Sequence, residues 1–478
     1  MFSIITLKPS VTLIRRDFYE APPPLEITED SGFEESDLFR RKPFAESLTN
    51  LVIQAEGPLV ISLDAPWGEG KTTFVKQWRG MLKKDENIAS MYFDAFEGDY
   101  QDDAFLAISA EVYAYSKEKL YAQGDNEKKA LTQFKTATIN VSKALAKAGA
   151  KTAIKASSAS FLDGSELENI SAGVSAELGK LTDKLIDDAL EKHTENKNSF
   201  TTFKIALETL GRELSSEGKP FIVIIDELDR CRPDFALNLL EKIKHVFSTS
   251  NVIFVLVNNS EQLARSVEYT YGQGINAHNY LHKFITLSLK LPKKADFALS
   301  MGDTKNYVHY LFRKMNIYAH GQEKSYSSLL GELCEELNLS FRQVEKIIGK
   351  LSLYMLLTPE HRYKDKHLIS GLCILQVVRP ELFEKVVNIK DYDSATTRDI
   401  VEKLLDFFGY YSYRDEEKTD WKSPFIITWQ AVLQESKVTE LPFVQILKEE
   451  IKQYDMSLKD LIPVVAEPLV KYWVEQPE

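Results

Sequence analysis

The sequence predicts an α/β fold: a doubly wound parallel sheet with a helical insertion and a helical C-terminal region. Three observations carry that expectation. Short apolar runs alternate with helical patterns in two separate stretches of chain. One run leads straight into a glycine-rich turn and a helix. A long, polar segment without a strand pattern separates the two stretches, and a further helical segment follows the second. Short continuous apolar runs suit strands buried on both faces, and strands alternating with helices give a parallel sheet covered on both sides.

The elements follow in chain order. Residues 1–48 form an N-terminal segment leading into the core. Val11 to Phe18 is a candidate strand, Pro22-Pro23-Pro24 an extended linker, and Leu38 to Glu56 a helix. The core takes residues 49–100 and 219–292. Its expected strands are Pro58–Asp64, Ile88–Phe93, Phe221–Ile225, Asn251–Val257 and Phe284–Leu291. Helices are expected from Thr72 to Lys84 and after Pro233, a good first-turn residue. Residues 101–218 are a helical insertion. Residues 293–478 form a helical lid and C-terminal region, with a surface loop at Tyr413 to Lys422.

The turn after the first core strand carries the chemistry. Ala65-Pro66-Trp67-Gly68-Glu69-Gly70-Lys71-Thr72-Thr73 reads as a P-loop between a strand and a helix. Gly68 and Gly70 let the backbone curl so that its N–H groups face phosphate oxygens. Lys71 is expected to reach the β- and γ-phosphates, and Thr72 to offer its hydroxyl to Mg²⁺. Ala65 stands where the usual pattern has its first glycine, at the exit from the strand, but the phosphate-cradling glycines remain and binding is expected to survive.

Two further strand ends join this turn. Phe221–Ile225 runs into Asp226-Glu227-Leu228-Asp229-Arg230. An Asp ending a buried strand is where P-loop enzymes hold Mg²⁺, and the following Glu227 is placed to orient and polarise the attacking water. The bland alternative is an acidic cap on the next helix. Asn258 follows the next apolar run and is a candidate contact to the γ-phosphate or the water. Its alternative is an Asn-rich turn in which Asn259 or Ser260 caps a helix.

PWGEGKTT, then IIDELDRCRP, LLEKIKHVF and NVIFVLVNN, resemble the KAP family of P-loop NTPases. Asp37 to Arg40, Phe44-Ala45, Tyr280 to Lys283, Leu291-Pro292 and Leu339 to Arg342 are similar to it as well, so the resemblance covers about residues 35–355. It implies a P-loop core of the additional-strand type, related to AAA+ and STAND ATPases. It also implies a large insertion between the two motifs, which often carries membrane helices. Many prokaryotic relatives are implicated in defence against phage or plasmids. Arg342 opens a helix where related ATPases place a nucleotide-sensing arginine. Arg230 and Arg342 are thus candidates to approach the γ-phosphate, in cis or from a neighbouring subunit. A surface ion pair with Asp226, Asp229 or Asp234 is the alternative for Arg230.

Composition narrows the function. The chain has 478 residues, 59 Lys plus Arg against 71 Asp plus Glu, and a net charge of -12, so a general affinity for nucleic-acid backbone is not indicated. No stretch of 18 mainly apolar residues predicts a membrane span, and MFSIITLKPS lacks the basic start of a signal peptide. Cys231, Cys334 and Cys373 are far apart and odd in number, which argues for a reducing cytoplasm and against a disulfide framework or a zinc site. In the insertion, Lys143, Lys147, Lys151 and Lys155 recur every four residues, in a stretch from Lys135 to Leu162 without an acid. That spacing is either the solvated face of a helical arm or a contact for an acidic partner, nucleic acid or anionic lipid. The expected function is ATP binding and Mg²⁺-dependent hydrolysis driving conformational change or assembly, with self-association and a separately encoded effector. A nucleotide-gated scaffold with little turnover and a DNA-associated motor are the alternatives.

Overall fold

The computed structural model describes residues 27, 32–34, 37–101, 103–120, 124–148, 197–215, 218–293, 303–317, 321–390, 392, 395–408, 422–433 and 441–471. The candidate strand Val11 to Phe18 and most of the loop expected at Tyr413 to Lys422 lie outside them. The chain divides into two compact units: Leu25–Ala295, and Met1–Pro24 with Asp296–Glu478.

The first unit is built on five strands: β1 Leu59–Asp64, β2 Ser90–Asp94, β3 Phe221–Asp226, β4 Val252–Asn258 and β5 Leu287–Lys290. Every pairing is parallel, in the order β2-β3-β4-β1-β5. The doubly wound parallel sheet is therefore as the sequence predicts. β4 lies between β1 and β3 and is the additional strand. The pleat sorts alternate side chains to opposite faces. Ile222, Ile224, Ile253, Val255, Ile61 and Leu63 join one core with the helices Lys42–Ile53 and Lys71–Glu86. Phe221, Val223, Ile225, Phe254 and Leu256 join the other core.

The insertion lines that second core. Its helices Ala104–Leu120, Asp125–Ala148 and 197–214 bring Phe105, Phe134 and Phe203 against Phe247 and Phe254. Phe203 lies 5.1 Å from the rings of both Phe105 and Phe247, in edge-on geometry with each. Such pairs contribute about 0.5–1.5 kcal/mol each beyond area burial. The described helices of this segment are thus a layer of the sheet's own core. Lys135 and Lys143 are exposed on Asp125–Ala148, while Lys151 and Lys155 lie outside the described residues.

Local chemistry sets the edges of these elements. Lys42–Ile53 begins late because Asp37 Oδ1 accepts from Arg41 N–H at 2.7 Å and Pro43 occupies the first turn. Buried Trp78 donates its indole N–H to Thr49 Oγ1 at 2.9 Å, so the polar atoms of this pair satisfy one another between the two helices of that layer. All the described elements of the second unit are helical. At its centre, Lys366–Val378 is buried along most of its length, and fully buried Trp429 packs on Gly371. No described helix is long and apolar enough to cross a membrane.

Candidate functional site

Parallel strands end at one edge of their sheet, and there the first unit gathers its polar residues. Asp94 is in register with Asp226, and Asp64 with Asn258. Clefts beyond the carboxyl ends of such strands are where α/β sheets bind ligands. After β1 the backbone turns through Gly68 at φ 83° and Gly70 at φ 72°, then starts the helix Lys71–Glu86. Both angles lie in the left-handed region that glycine adopts without strain. Ala65 keeps an ordinary backbone: its N–H donates to Asn258 O at 3.2 Å and its carbonyl points inward.

Lys71 is buried, and its Nζ donates to Ala65 O at 2.7 Å and Pro66 O at 3.2 Å. Burial pushes its pKa down, and the carboxylates of Asp229, Asp226, Glu227 and Asp64 oppose that shift. Thr72 Oγ1 donates to Asp226 Oδ2 at 2.7 Å, so the P-loop and the end of β3 meet at that pair. Tyr92 OH donates to the same oxygen at 3.1 Å, and Glu227 N–H donates to Asp226 Oδ1 at 2.8 Å. Burial nevertheless raises the Asp226 pKa. Thr73 is half-buried one residue further along the helix.

Glu227 sits at φ 59°, a left-handed turn out of β3. Its Oε2 pairs with Arg230 Nε at 2.8 Å. Burial raises its pKa first and the neighbouring Asp226 second, while Arg230 pulls it down. The partner of Arg230 is therefore Glu227, and not Asp226, Asp229 or Asp234. Asp229 instead accepts the indole N–H of Trp67 through Oδ2, which links the P-loop to the turn after β3 a second time.

Asn258 is fully buried, and its amide donates to Ser62 Oγ at 3.0 Å and Leu256 O at 3.3 Å. The side chain thus faces the sheet, and its Oδ1 has no hydrogen-bond partner among the described residues. Asn259 caps the next helix by accepting from Glu261 N–H. Arg342 is exposed in the first turn of Phe341–Leu357, in the other unit, so it is not among the residues that this unit assembles. Glu69 is buried with its carboxylate on Lys293 at 3.0 Å, so its side chain is committed to that ion pair.

Sequence reasoning missed Tyr92, Arg41 and Lys293. A tyrosine in the middle of a strand gives no signal in one sequence. Arg41 lies in the Asp37–Lys42 stretch, where an Asp before a proline-started helix marks a cap but not the reach of the next arginine.

A strand, a P-loop, a helix and an acid-ended β3, with β4 between β1 and β3, define a P-loop NTPase fold of the additional-strand type. Residues 41–357 match the model of the KAP family P-loop domain, and the chain belongs to that family. The phage T7 exclusion protein of Escherichia coli (strain K12) is 25% identical over 228 residues, 47% of this chain and 29% of that protein. This chain thus aligns with less than a third of that relative's length. Among solved structures, the ORC2 protein of Aeropyrum pernix in its ADPNP–ADP complexes aligns over 94% of this chain and 96% of its own, at 11% identity and a TM-score of 0.34. The ORC1 protein of the same organism in complex with DNA aligns over 88% of this chain and 86% of its own, at 10% identity and a TM-score of 0.33.

Proposed function

We propose that this protein binds ATP with Mg²⁺ and hydrolyses it, and that the nucleotide cycle drives a conformational change or an assembly step. The observation that carries the reading is the 2.7 Å hydrogen bond from Thr72 Oγ1 to Asp226 Oδ2. It brings a hydroxyl from the P-loop helix and a carboxylate from β3 to one point beside Lys71, and these residue types fit a Mg²⁺ ion shared with phosphate oxygens. Thr72 and Asp226 would hold the ion. Once bound, it would neutralise charge on the β- and γ-phosphates.

The chain's own residues supply the rest. The backbone N–H groups from Pro66 to Thr73 cradle the phosphates, Pro66 contributing only the turn because it has no N–H. Lys71 exchanges the carbonyls of Ala65 and Pro66 for phosphate oxygens. Glu227 orients the attacking water and accepts its proton. Asn258 would have to turn its amide away from Ser62 to reach the γ-phosphate. Arg230 would act on the phosphate in cis, or Arg230 or Arg342 would act from a neighbouring copy, and the second arrangement would require self-association. A place in defence against phage suits the relative named a phage T7 exclusion protein, and a separately encoded effector completes this reading. The buried, unpaired Cys231, Cys334 and Cys373 suit the cytoplasm.

A second reading rests on the Glu227–Arg230 ion pair. With its water-orienting carboxylate held by an arginine, the protein would act as a nucleotide-gated scaffold with little turnover.

Thr72→Val tests the metal arrangement, because it keeps the shape and removes the hydroxyl. We expect Mg²⁺-dependent turnover to fall by about tenfold or more while Mg²⁺-free ATP binding persists. Unchanged turnover over a Mg²⁺ titration would reject the Thr72–Asp226 assignment.

A further inference from the structure

We propose that Arg41 is a positioning residue that ties the phosphate-binding loop to the end of β5 and so couples nucleotide loading to the segment of chain that leaves this unit. The proposal rests on reading the loop as a nucleotide site. Arg41 lies outside the loop in sequence yet is 3% exposed. Its Nη1 donates to Glu69 O at 2.9 Å and Gly70 O at 3.4 Å, and its Nε donates to Pro292 O at 3.0 Å. One planar guanidinium therefore spans two carbonyls of the loop and one just past β5. Only arginine offers several donors in a fixed fork with a charge that burial cannot remove. Without it, buried carbonyl oxygens of the loop would lose their partner.

The preceding residues are shaped to deliver that side chain. Asp37 Oδ1 and Oδ2 accept the N–H groups of Arg41 and Lys42 at 2.7 and 2.9 Å, and Arg40 takes a left-handed φ of 50°. The Arg41 guanidinium lies 4.9 Å from the Phe39 ring centre. A Cβ at Gly70 would lie 3.3 Å from Arg41 Nη1 and 4.0 Å from Phe39 Cε2, so the loop and this turn are in contact. A second strut joins the same two segments, from Glu69 Oε1 to Lys293 Nζ at 3.0 Å.

The other end of the brace explains its use. Among the described residues, β5 is the edge strand and pairs only with β1, over Ile61 to Asp64. Leu291, Pro292 and Lys293 follow it and precede the boundary of this unit at Ala295. A shift of the loop at Glu69 and Gly70 is thereby passed to the point where the chain departs.

Hydrogen exchange read by mass spectrometry on the whole chain tests the brace, with Arg41→Lys keeping the charge but not the fork. Without nucleotide, Arg41→Lys should exchange about tenfold faster than wild type both at 66–73 and at 287–293. With MgATP, wild type should gain protection in both segments, and Arg41→Lys only in 66–73. Equal protection of 287–293 by MgATP in the two proteins would overturn the coupling, as would wild-type exchange rates in nucleotide-free Arg41→Lys. A wild-type chain in which MgATP protects neither segment would instead reject the nucleotide site itself. The nucleotide-free comparison would still decide the brace. Arg41→Gln, which keeps two donors without the charge, gives the same readouts should Arg41→Lys fold poorly.

Discussion

Glu227 and Arg230 are joined by an ion pair of 2.8 Å across one turn, and Glu227 reaches it from a left-handed backbone at φ 59°. The pair holds the half-buried carboxylate that follows Asp226 in the chain, while Asp226 itself is committed to Thr72 and Tyr92. Arg230 also stabilises the ionised form of Glu227, against burial and against Asp226, Asp229 and Asp94. A latch and a pKa-lowering partner are thus one residue, and its removal has two separable effects.

Arg230→Ala should free the carboxylate and raise its pKa further. A base must be ionised to accept a proton, so turnover is lost as pH falls through that pKa. We expect the acid limb of the kcat profile to move to higher pH. Above the limb, kcat should rise by about threefold or more, with KM unchanged, because the arginine no longer competes for Glu227. Steady-state assays from pH 5 to 9 check both effects. A drop in kcat with the limb in place would assign Arg230 to the phosphate.

The sheet was legible because buried parallel strands read as unbroken apolar runs such as Phe221–Ile225. Their ends were less so: the strand expected at Ile88–Phe93 is Ser90–Asp94, and that expected at Phe284–Leu291 is Leu287–Lys290. β5 is an edge strand with alternating exposure, and Phe284 belongs to the core beneath it. In the site, glycine, Lys71, Thr72 and Asp226 were readable because each is tied to its neighbours in sequence. The partner of Arg230, the inward turn of Asn258 and the reach of Arg41 to Pro292 were not. Those depend on rotamers and on contacts across 251 residues of chain, which no local pattern encodes.

Gly371 makes a test of the second unit independent of nucleotide. A Cβ there would meet Trp429 ring atoms at 2.5, 2.8 and 2.9 Å. Trp429 is fully buried and donates its indole N–H to His367 O at 3.3 Å, so the ring cannot step aside freely. Gly371→Ala gains helix propensity worth about 1 kcal/mol, yet overpacking costs about 1–3 kcal/mol. We expect a lower denaturation midpoint for the second unit, read by Trp fluorescence in urea. A raised midpoint would mean that the helices separate more easily than their packing suggests.

Glu227→Gln, set beside Lys71→Ala, decides between enzyme and scaffold. The folded pKa of Glu227 is raised, so the folded state holds that proton more tightly than the unfolded chain does. Stability is therefore lost as pH climbs through the unfolded and then the folded value, and above that window the group is a net cost to the fold. Gln removes the charge, so nucleotide-free Glu227→Gln should melt no lower than wild type at pH 7.5. It should still bind MgATP, because Thr72, Asp226 and Lys71 are intact, while turnover falls by about 10²–10⁴-fold. Lys71→Ala should keep the fold and lose ATP binding by calorimetry, since Lys71 is the buried cation of the loop. Phage-challenge assays then separate the two readings. A protein whose cycle matters fails with both variants. A nucleotide-gated scaffold fails only with Lys71→Ala and stays active, or becomes more so, with Glu227→Gln held in its ATP state. Wild-type turnover in Glu227→Gln would remove Glu227 from the chemistry and leave Asp229, held by Trp67, as the next carboxylate along the turn.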